Sequence, residues 1–313
     1  MIYRERKSRF IRLFNKTPEG VICPHFYELI LSNGCPFDCA YCYLKLTFRG
    51  DKSPKLFTND WTTVQKELDA IDTGVFNTGE LADSLAVIPP LLPKAIEYFQ
   101  DTKKSKFLLL VTKSTNIKIL EQTTPSKNII ISFSINAPIA SRLYEKKAPS
   151  PYQRLEAAWR LKELGWRVRI RLDPIIPDVG LNNYKSIVKE IAKLKPEAVT
   201  LGMLRQFPGL YRFAPDAPRN NLKKAPDGRM RYQESLRVKT YHTIAEWLGF
   251  QPSLCKETKE VWRKLGWSFT PCNCVEPSIL KEKITFTHKV NFEEKISVYT
   301  TCTFPIQPMV RPL

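Results

Sequence analysis

The stretch NIIISFSIN, residues 128–136, decides the fold. It is a continuous apolar run, typical of a strand covered by helices. KFLLLVT (106–112) reads the same way upstream, and FYELILS (26–32) is a further strand nearer the start. Between these lies a helix capped by Asp60, with Trp61, Val64, Leu68 and Ile71 on one face. Downstream, a helix spans roughly 152–164 with Leu155, Ala158, Trp159 and Leu161 as its inner stripe, and Gly165 fits just past its end. RVRIRLDP follows, where Val168, Ile170 and Leu172 alternate with Arg167, Arg169 and Arg171, giving one apolar face and one cationic face. Those arginines are either solvated or free to bind phosphate, or, for Arg171, a carboxylate. Helical NNYKSIVKEIAKL and strand-like EAVTLGML come next. Strand and helix alternating through short connections give a parallel sheet with right-handed crossovers. About six such units fit before residue 250, fewer than the eight of a closed barrel. The expected fold is therefore α/β: an open, partial (βα)6 parallel barrel over residues 23–250. A basic N-terminal arm precedes it over 1–22. A C-terminal extension over 251–313 ends in KITFTHKVNFEEKISVYTTCTF, whose alternation suggests a terminal hairpin. Ligands of such a barrel gather at the C-terminal ends of its strands.

Charge narrows the partner. Lys and Arg total 49 against 31 Asp and Glu, a net charge of +18 in 313 residues. An excess of that size points to a polyanion, nucleic acid first. Arg4, Arg6, Lys7, Arg9, Arg12 and Lys16 crowd the first 16 residues against Glu5 alone, and nine cations fall between 205 and 240. No run approaches the ~18 apolar residues of a membrane span, and MIYRERKSRFIRLF lacks the apolar centre of a secretory signal. No membrane partner and a cytoplasmic location, where thiols stay reduced, are expected.

Six of the eight cysteines fall in two tight groups, which suits metal ligands or reactive thiols. The first group is CPFDCAYCY (35–43), holding Cys35, Cys39 and Cys42 with Tyr41 and Tyr43 interleaved. Structural zinc takes four ligands, usually as two spaced pairs. Here three thiols lie in eight residues, and His25 is ten residues upstream. Three thiolates without a fourth suit a cubane iron–sulfur cluster with one open iron. The second group, in LCKETKEVWRKLGWSFTPCNC, places Cys255, Cys272 and Cys274 as C-x16-C-x-C, a spacing that matches no common zinc site. A C-x-C pair is often a ligand pair, so the group reads either as a metal site or as structural thiols in a compact cap.

The C-x3-C-x2-C spacing, with an aromatic residue before the last cysteine, resembles the radical S-adenosylmethionine (SAM) superfamily. The resemblance implies a [4Fe-4S] cluster on Cys35, Cys39 and Cys42 whose fourth iron is chelated by SAM. One electron then cleaves the sulfonium, and a 5′-deoxyadenosyl radical abstracts hydrogen from the substrate. It also implies SAM contacts. FNTGELADS (76–84) looks like the family's Gly-Glu motif, with Gly79 and Glu80 meeting the amino group. Lys113 would reach the carboxylate or ribose, Ser134 and Asn136 suit the ribose, and Arg171 would pair with the carboxylate. Many members carry an auxiliary cluster in a C-terminal extension, which implies a second iron–sulfur cluster on Cys255, Cys272 and Cys274, with Cys302, Cys23 or none as fourth ligand. CPFDCAYCYLKLTFRG, the Thr-Lys pair at 112–113, SFSINAP and RLEAAWRLKELGWRVRIRLDPIIP together resemble the spore photoproduct lyase branch, over about residues 23–215. In that branch a tyrosine near the last cluster cysteine relays the radical, which Tyr41 and Tyr43 match. One departure stands out: the lyase's hydrogen-donating cysteine, some forty residues past the cluster, has no counterpart in FNTGELADSL. The expected function is a radical SAM enzyme on nucleic acid, DNA in preference to RNA, in lesion repair or base modification, served by a reducing flavodoxin or ferredoxin. Two rivals are a radical SAM enzyme on a small molecule or peptide, and a metal-stapled nucleic-acid-binding protein without catalysis.

Overall fold

A computed structural model describes residues 1–101 and 105–279. The terminal hairpin expected after residue 282, and Cys302 within it, lie outside the described residues.

An eight-stranded sheet forms the centre. In chain order its strands are β1 (Ile11–Phe14), β2 (Phe26–Leu29), β3 (Gly74–Asn77), β4 (Lys106–Thr112), β5 (Ile129–Ile135), β6 (Arg167–Ile175), β7 (Val199–Met203) and β8 (Ser253–Leu254). They lie side by side in that same order, from β1 at one edge to β8 at the other. Every neighbouring pair from β2 to β8 is parallel, and β1 alone runs antiparallel, against β2. Six parallel strands precede residue 250, as the strand–helix rhythm predicts, and the two-residue β8 extends the set. β1 does not pair with β8, so the curved wall stays open.

Helices cover the outer face: α1 (Trp61–Asp69), α2 (Leu92–Asp101), α3 (Pro151–Glu163), α4 (Lys185–Leu194) and α5 (Glu234–Leu248). Local chemistry sets their ends. The Asp60 carboxylate accepts from the Thr62 amide at 2.8 Å, and Ser150 and Gln153 form a reciprocal capping box at the start of α3. Val64 and Leu68 of α1, and Ala158 and Leu161 of α3, are fully buried against the sheet. Leu108, Leu109 and Leu110 of β4 and Ile129, Ile130 and Ile131 of β5 have no solvent exposure, so both faces of the central strands are covered.

Three expectations change. The first 22 residues do not hang as an arm, because β1 pairs with β2 and Phe10 and Ile11 are buried. The cationic face of β6 is neither solvated nor free for phosphate. Arg169 donates to the carbonyls of Asn273 (3.0 Å) and Val275 (2.6 Å), and both Arg167 and Arg169 reach Glu197 and Glu276. Alternation revealed the two faces but not that the chain's own C-terminal segment covers one of them. The 205–240 segment is not one basic surface either. Arg205, Arg231 and Arg237 are paired with Asp173, Asp227 and Glu257, and Arg229 is buried. Arg212, Arg219, Lys223, Lys224 and Lys239 remain exposed.

Candidate active site

The cysteine loop leaves the sheet just after β2 and is fixed from several sides. Gly34 has φ +82, and a Cβ there would lie 2.4 Å from the Ser53 carbonyl oxygen, so only glycine passes. The Cys35 amide donates to the Lys52 carbonyl at 2.8 Å and the Ala40 amide to the Tyr144 carbonyl at 2.7 Å. Lys52 returns its ammonium to the Cys35 and Phe37 carbonyls, and Lys45 pairs with Asp38 at 2.9 Å. Cys39 lies opposite Glu145 in a short antiparallel pairing. Cys35, Cys39 and Cys42 thus face one cavity of about 480 Å³ at the C-terminal ends of the strands.

That cavity gathers most of the residues expected from the sequence. Tyr41, Tyr43, Gly79, Glu80, Lys113, Ser134 and Arg171 line it, with Cys23, Cys255, Cys272 and Cys274. Gly79 is packed tightly: a Cβ would fall 2.6 Å from the Val111 Cβ, and its amide donates to Asn77 Oδ1 at 2.8 Å. This holds Glu80 at the cavity wall, where Asn77 Nδ2 donates to its carboxylate at 3.2 Å. Asp83 accepts from the Thr112 hydroxyl and the Lys113 amide, each at 2.6 Å, joining the two strand ends.

Asn136 and Arg171 differ from expectation. Asn136 does not line the cavity. It is fully buried, donating to Glu145 at 3.1 Å and accepting from Tyr184 at 2.8 Å, so it braces a neighbouring carboxylate instead of offering itself to a ribose. Arg171 lines the cavity, but its guanidinium is directed at sulfur: Cys274 at 3.1 Å and Cys255 at 3.8 Å.

Glu145 is the residue that periodicity and motif spacing do not reveal. It is buried where the Arg154 guanidinium (2.6 Å), Lys113 ammonium (3.9 Å), Asn136 amide and Tyr41 hydroxyl converge. Burial alone would raise its carboxyl, but Lys113 and Arg154 overrule it and hold it down to about 2. Burial, and then the Glu145 charge, push the Tyr41 phenol well above its ordinary value. Its hydroxyl is therefore a neutral donor locked onto a carboxylate. Tyr43 is 39% exposed at the cavity mouth and donates to the Glu80 backbone carbonyl. Arg154, in the buried stripe of α3, is equally hidden in sequence because an arginine at that position reads as solvent-facing.

The donor set fits a cubane better than zinc. Among the described residues, no three thiol, imidazole or carboxylate side chains converge on a point that one metal ion could hold. Tetrahedral zinc needs such convergence, whereas a cubane takes one cysteine per iron. No described cysteine is in a disulfide. Burial pushes the Cys35 thiol up to about 12 and raises Cys39 and Cys42 as well, so iron binding would displace their protons.

Comparison with known proteins agrees with this arrangement. The spore photoproduct lyase family matches residues 23–246. A spore photoproduct lyase from Clostridium acetobutylicum is 28% identical over 220 residues, covering 67% of this chain and 64% of that protein. The chain thus spans about 64% of the length of the curated relatives it matches. A solved double mutant of spore photoproduct lyase, with bound AdoMet and dinucleoside spore photoproduct, superposes with a TM-score of 0.65 at 18% identity, covering 82% of each chain. Streptococcus suis SuiB bound to precursor peptide SuiA gives a TM-score of 0.53 at 11% identity, covering 77% of this chain and 52% of that one, a likeness of fold alone. With the family match running from the first cavity cysteine into α5, and the cysteine loop and strand ends placed as described, the chain belongs to the spore photoproduct lyase family.

Proposed function

We propose that the protein is a radical SAM enzyme that acts on damaged or modifiable DNA. The observation that carries this is the single cavity joining Cys35, Cys39 and Cys42 to Gly79, Glu80 and Lys113 at the strand ends. When bound there, a [4Fe-4S] cluster with SAM supplies a carbon-centred radical able to abstract hydrogen. The protein's part is binding, orientation and exclusion of water. Glu80 offers an acceptor for an ammonium, and Lys113 a cation for a carboxylate. Ser134, buried at the end of β5, offers a hydroxyl to a ribose. Tyr41 and Tyr43 hold O–H groups at the cavity wall, the residues best placed to relay a hydrogen atom. Tyr41 is constrained by Glu145 and Tyr43 lies nearer the solvent side.

Features of the mouth favour a nucleic-acid substrate. Phe207 is 43% exposed and lines the cavity, with the Arg229 guanidinium 5.0 Å from its ring centre. An exposed ring backed by a cation is a platform for an unstacked base. Exposed Arg212, Lys223 and Lys224 in the same segment, with Arg9 and Lys16 near β1, offer phosphate contacts. A low-potential flavodoxin or ferredoxin is the class of donor the reaction requires. No described helix is long and apolar enough to cross a membrane.

Anaerobic reconstitution followed by SAM and dithionite tests the chemistry, with 5′-deoxyadenosine expected and its absence from cluster-loaded protein overturning the radical reading. Incubation with dinucleoside spore photoproduct tests the substrate. Restored thymine dinucleotide supports lesion cleavage. Turnover of SAM without repair, together with no retention of DNA on a filter at low salt, removes DNA as the substrate.

A further inference from the structure

Seven cysteines line the cavity, and they form two groups. Cys35, Cys39 and Cys42 share one loop, while the antiparallel pairing of Ile22 with Glu257 brings Cys23 beside the 255–256 stretch, and Arg171 reaches both Cys255 and Cys274. All four thiols of the second group are 5–6% exposed. They come from three separate parts of the chain, before β2, after β8 and the C-x-C turn, so their meeting is a product of the fold.

The surroundings are built for anionic sulfur. Arg205 donates to Cys255 at 3.2 Å while Asp173 takes its guanidinium through two contacts of 3.0 Å. Among the described residues, Arg171 has no such carboxylate clamp. Its hydrogen bonds go to the sulfurs of Cys274 and Cys255, and its Nε is buried without a partner among the described residues. A buried guanidinium facing neutral thiols would be strongly penalised; facing thiolates, it is compensated. The C-x-C turn is also preorganised. Asn273 has no solvent exposure, and its side chain bridges three strands, donating to Ser132 Oγ (3.0 Å) on β5 and the Ile170 carbonyl (2.8 Å) on β6. It accepts from the Thr200 hydroxyl (2.7 Å) on β7. Cys272 and Cys274 are thereby held in place on either side of it.

We propose that Cys23, Cys255, Cys272 and Cys274 bind a second [4Fe-4S] cluster, one with all four irons held by protein. Four buried thiols from separate parts of the chain, with two guanidinium groups aimed at their sulfurs, suit a cubane, which takes one cysteine per iron. Arg171 and Arg205 then serve as N–H···S donors to ligating sulfur, the kind of contact that sets a cluster's potential. Such a cluster has no open position for SAM or substrate. Its available chemistry would be one-electron transfer, from a low-potential flavodoxin- or ferredoxin-type donor to the cluster that Cys35, Cys39 and Cys42 would hold in the same cavity, with no bond made or broken.

The site stands independently of the radical reading, and iron counting separates the two. Anaerobically reconstituted wild type is expected to hold about eight irons and about eight sulfides per chain. A variant with Cys35→Ala, Cys39→Ala and Cys42→Ala is expected to keep about four of each and to show a reduced-cluster EPR signal. Adding Cys23→Ala and Cys272→Ala to that variant removes the remaining iron. About four irons in wild type, or one zinc per chain released only by Cys255→Ala and Cys272→Ala, overturns the second cluster while leaving the first intact. The wild-type count needs no variant to fold.

Discussion

Glu145 sits between two cations in the protein interior, and its chemistry fixes what happens when it is altered. Replacing the carboxylate by an amide, Glu145→Gln, leaves the buried Arg154 charge without its partner. Removing one member of a buried pair costs about 3–5 kcal/mol, and urea melts of variant against wild type will show it. The same group sets an acid limit. Because its folded carboxyl is held at about 2, below the ordinary 4.5, its stabilisation is complete above pH 4.5 and is lost as pH falls towards 2. The gap between wild type and Glu145→Gln therefore closes over that window, which a pH series of urea midpoints will reveal; a constant gap contradicts the assignment. Phe207 is governed by exposure. Phe207→Ala removes a stacking face and should weaken binding of a single-stranded or lesion-bearing oligonucleotide by about 1–3 kcal/mol, with 5′-deoxyadenosine formation in the absence of DNA unchanged.

Among the elements, those with a strong repeating pattern could be read directly. KFLLLVT became β4 over the same seven residues, and NIIISFSIN became β5 less one residue at each end. The Asp60 cap also follows from local chemistry, and Asp60→Ala should lower stability by about 1 kcal/mol, measurable by thermal melts. What escaped reading was long-range. The sequence shows that β6 has a cationic face, but only the fold shows that residues 273–276, over a hundred positions away, supply its carbonyl and carboxylate partners. The cysteines show the same division. Their spacing announces the 35–43 loop, whereas the company of Cys23 with Cys255 depends on tertiary assembly. Arg154 and Asn136 sit at positions where pattern suggests solvent or ligand, and both proved to be braces for Glu145. Within the cysteine loop, Gly34→Ala is expected to displace the backbone at Cys35, since the Ser53 and Lys52 carbonyls are backbone atoms that cannot swing aside. Iron content of the reconstituted variant should fall well below wild type.

Across the whole molecule, the charge of +18 is spread unevenly between depth and surface. The cations paired inside with Glu145, Asp173, Glu197, Glu257 and Glu276 are cancelled there, so the excess is carried by the unpaired ones nearer the surface. The remaining surface cations govern association with a polyanion. Neutralising two or more phosphates gives about a tenfold or greater loss of DNA affinity between 50 and 200 mM salt, measurable by filter binding. A flat salt response would place the substrate outside nucleic acids.

The strip of arginines along β6 also bears on how far the chain can be trimmed. The span shared with relatives stops at residue 246, and a protein cut there would keep every strand through β7. It would nonetheless strip Arg169 and Arg171 of their carbonyl and sulfur partners, and starting at residue 23 would bare the flank of β2 that β1 now covers. Any piece meant to stand alone therefore has to include at least Phe10 to Ile279. Residues 10–22 and 253–276, which look like appendages in a comparison of relatives, are structural members of this domain.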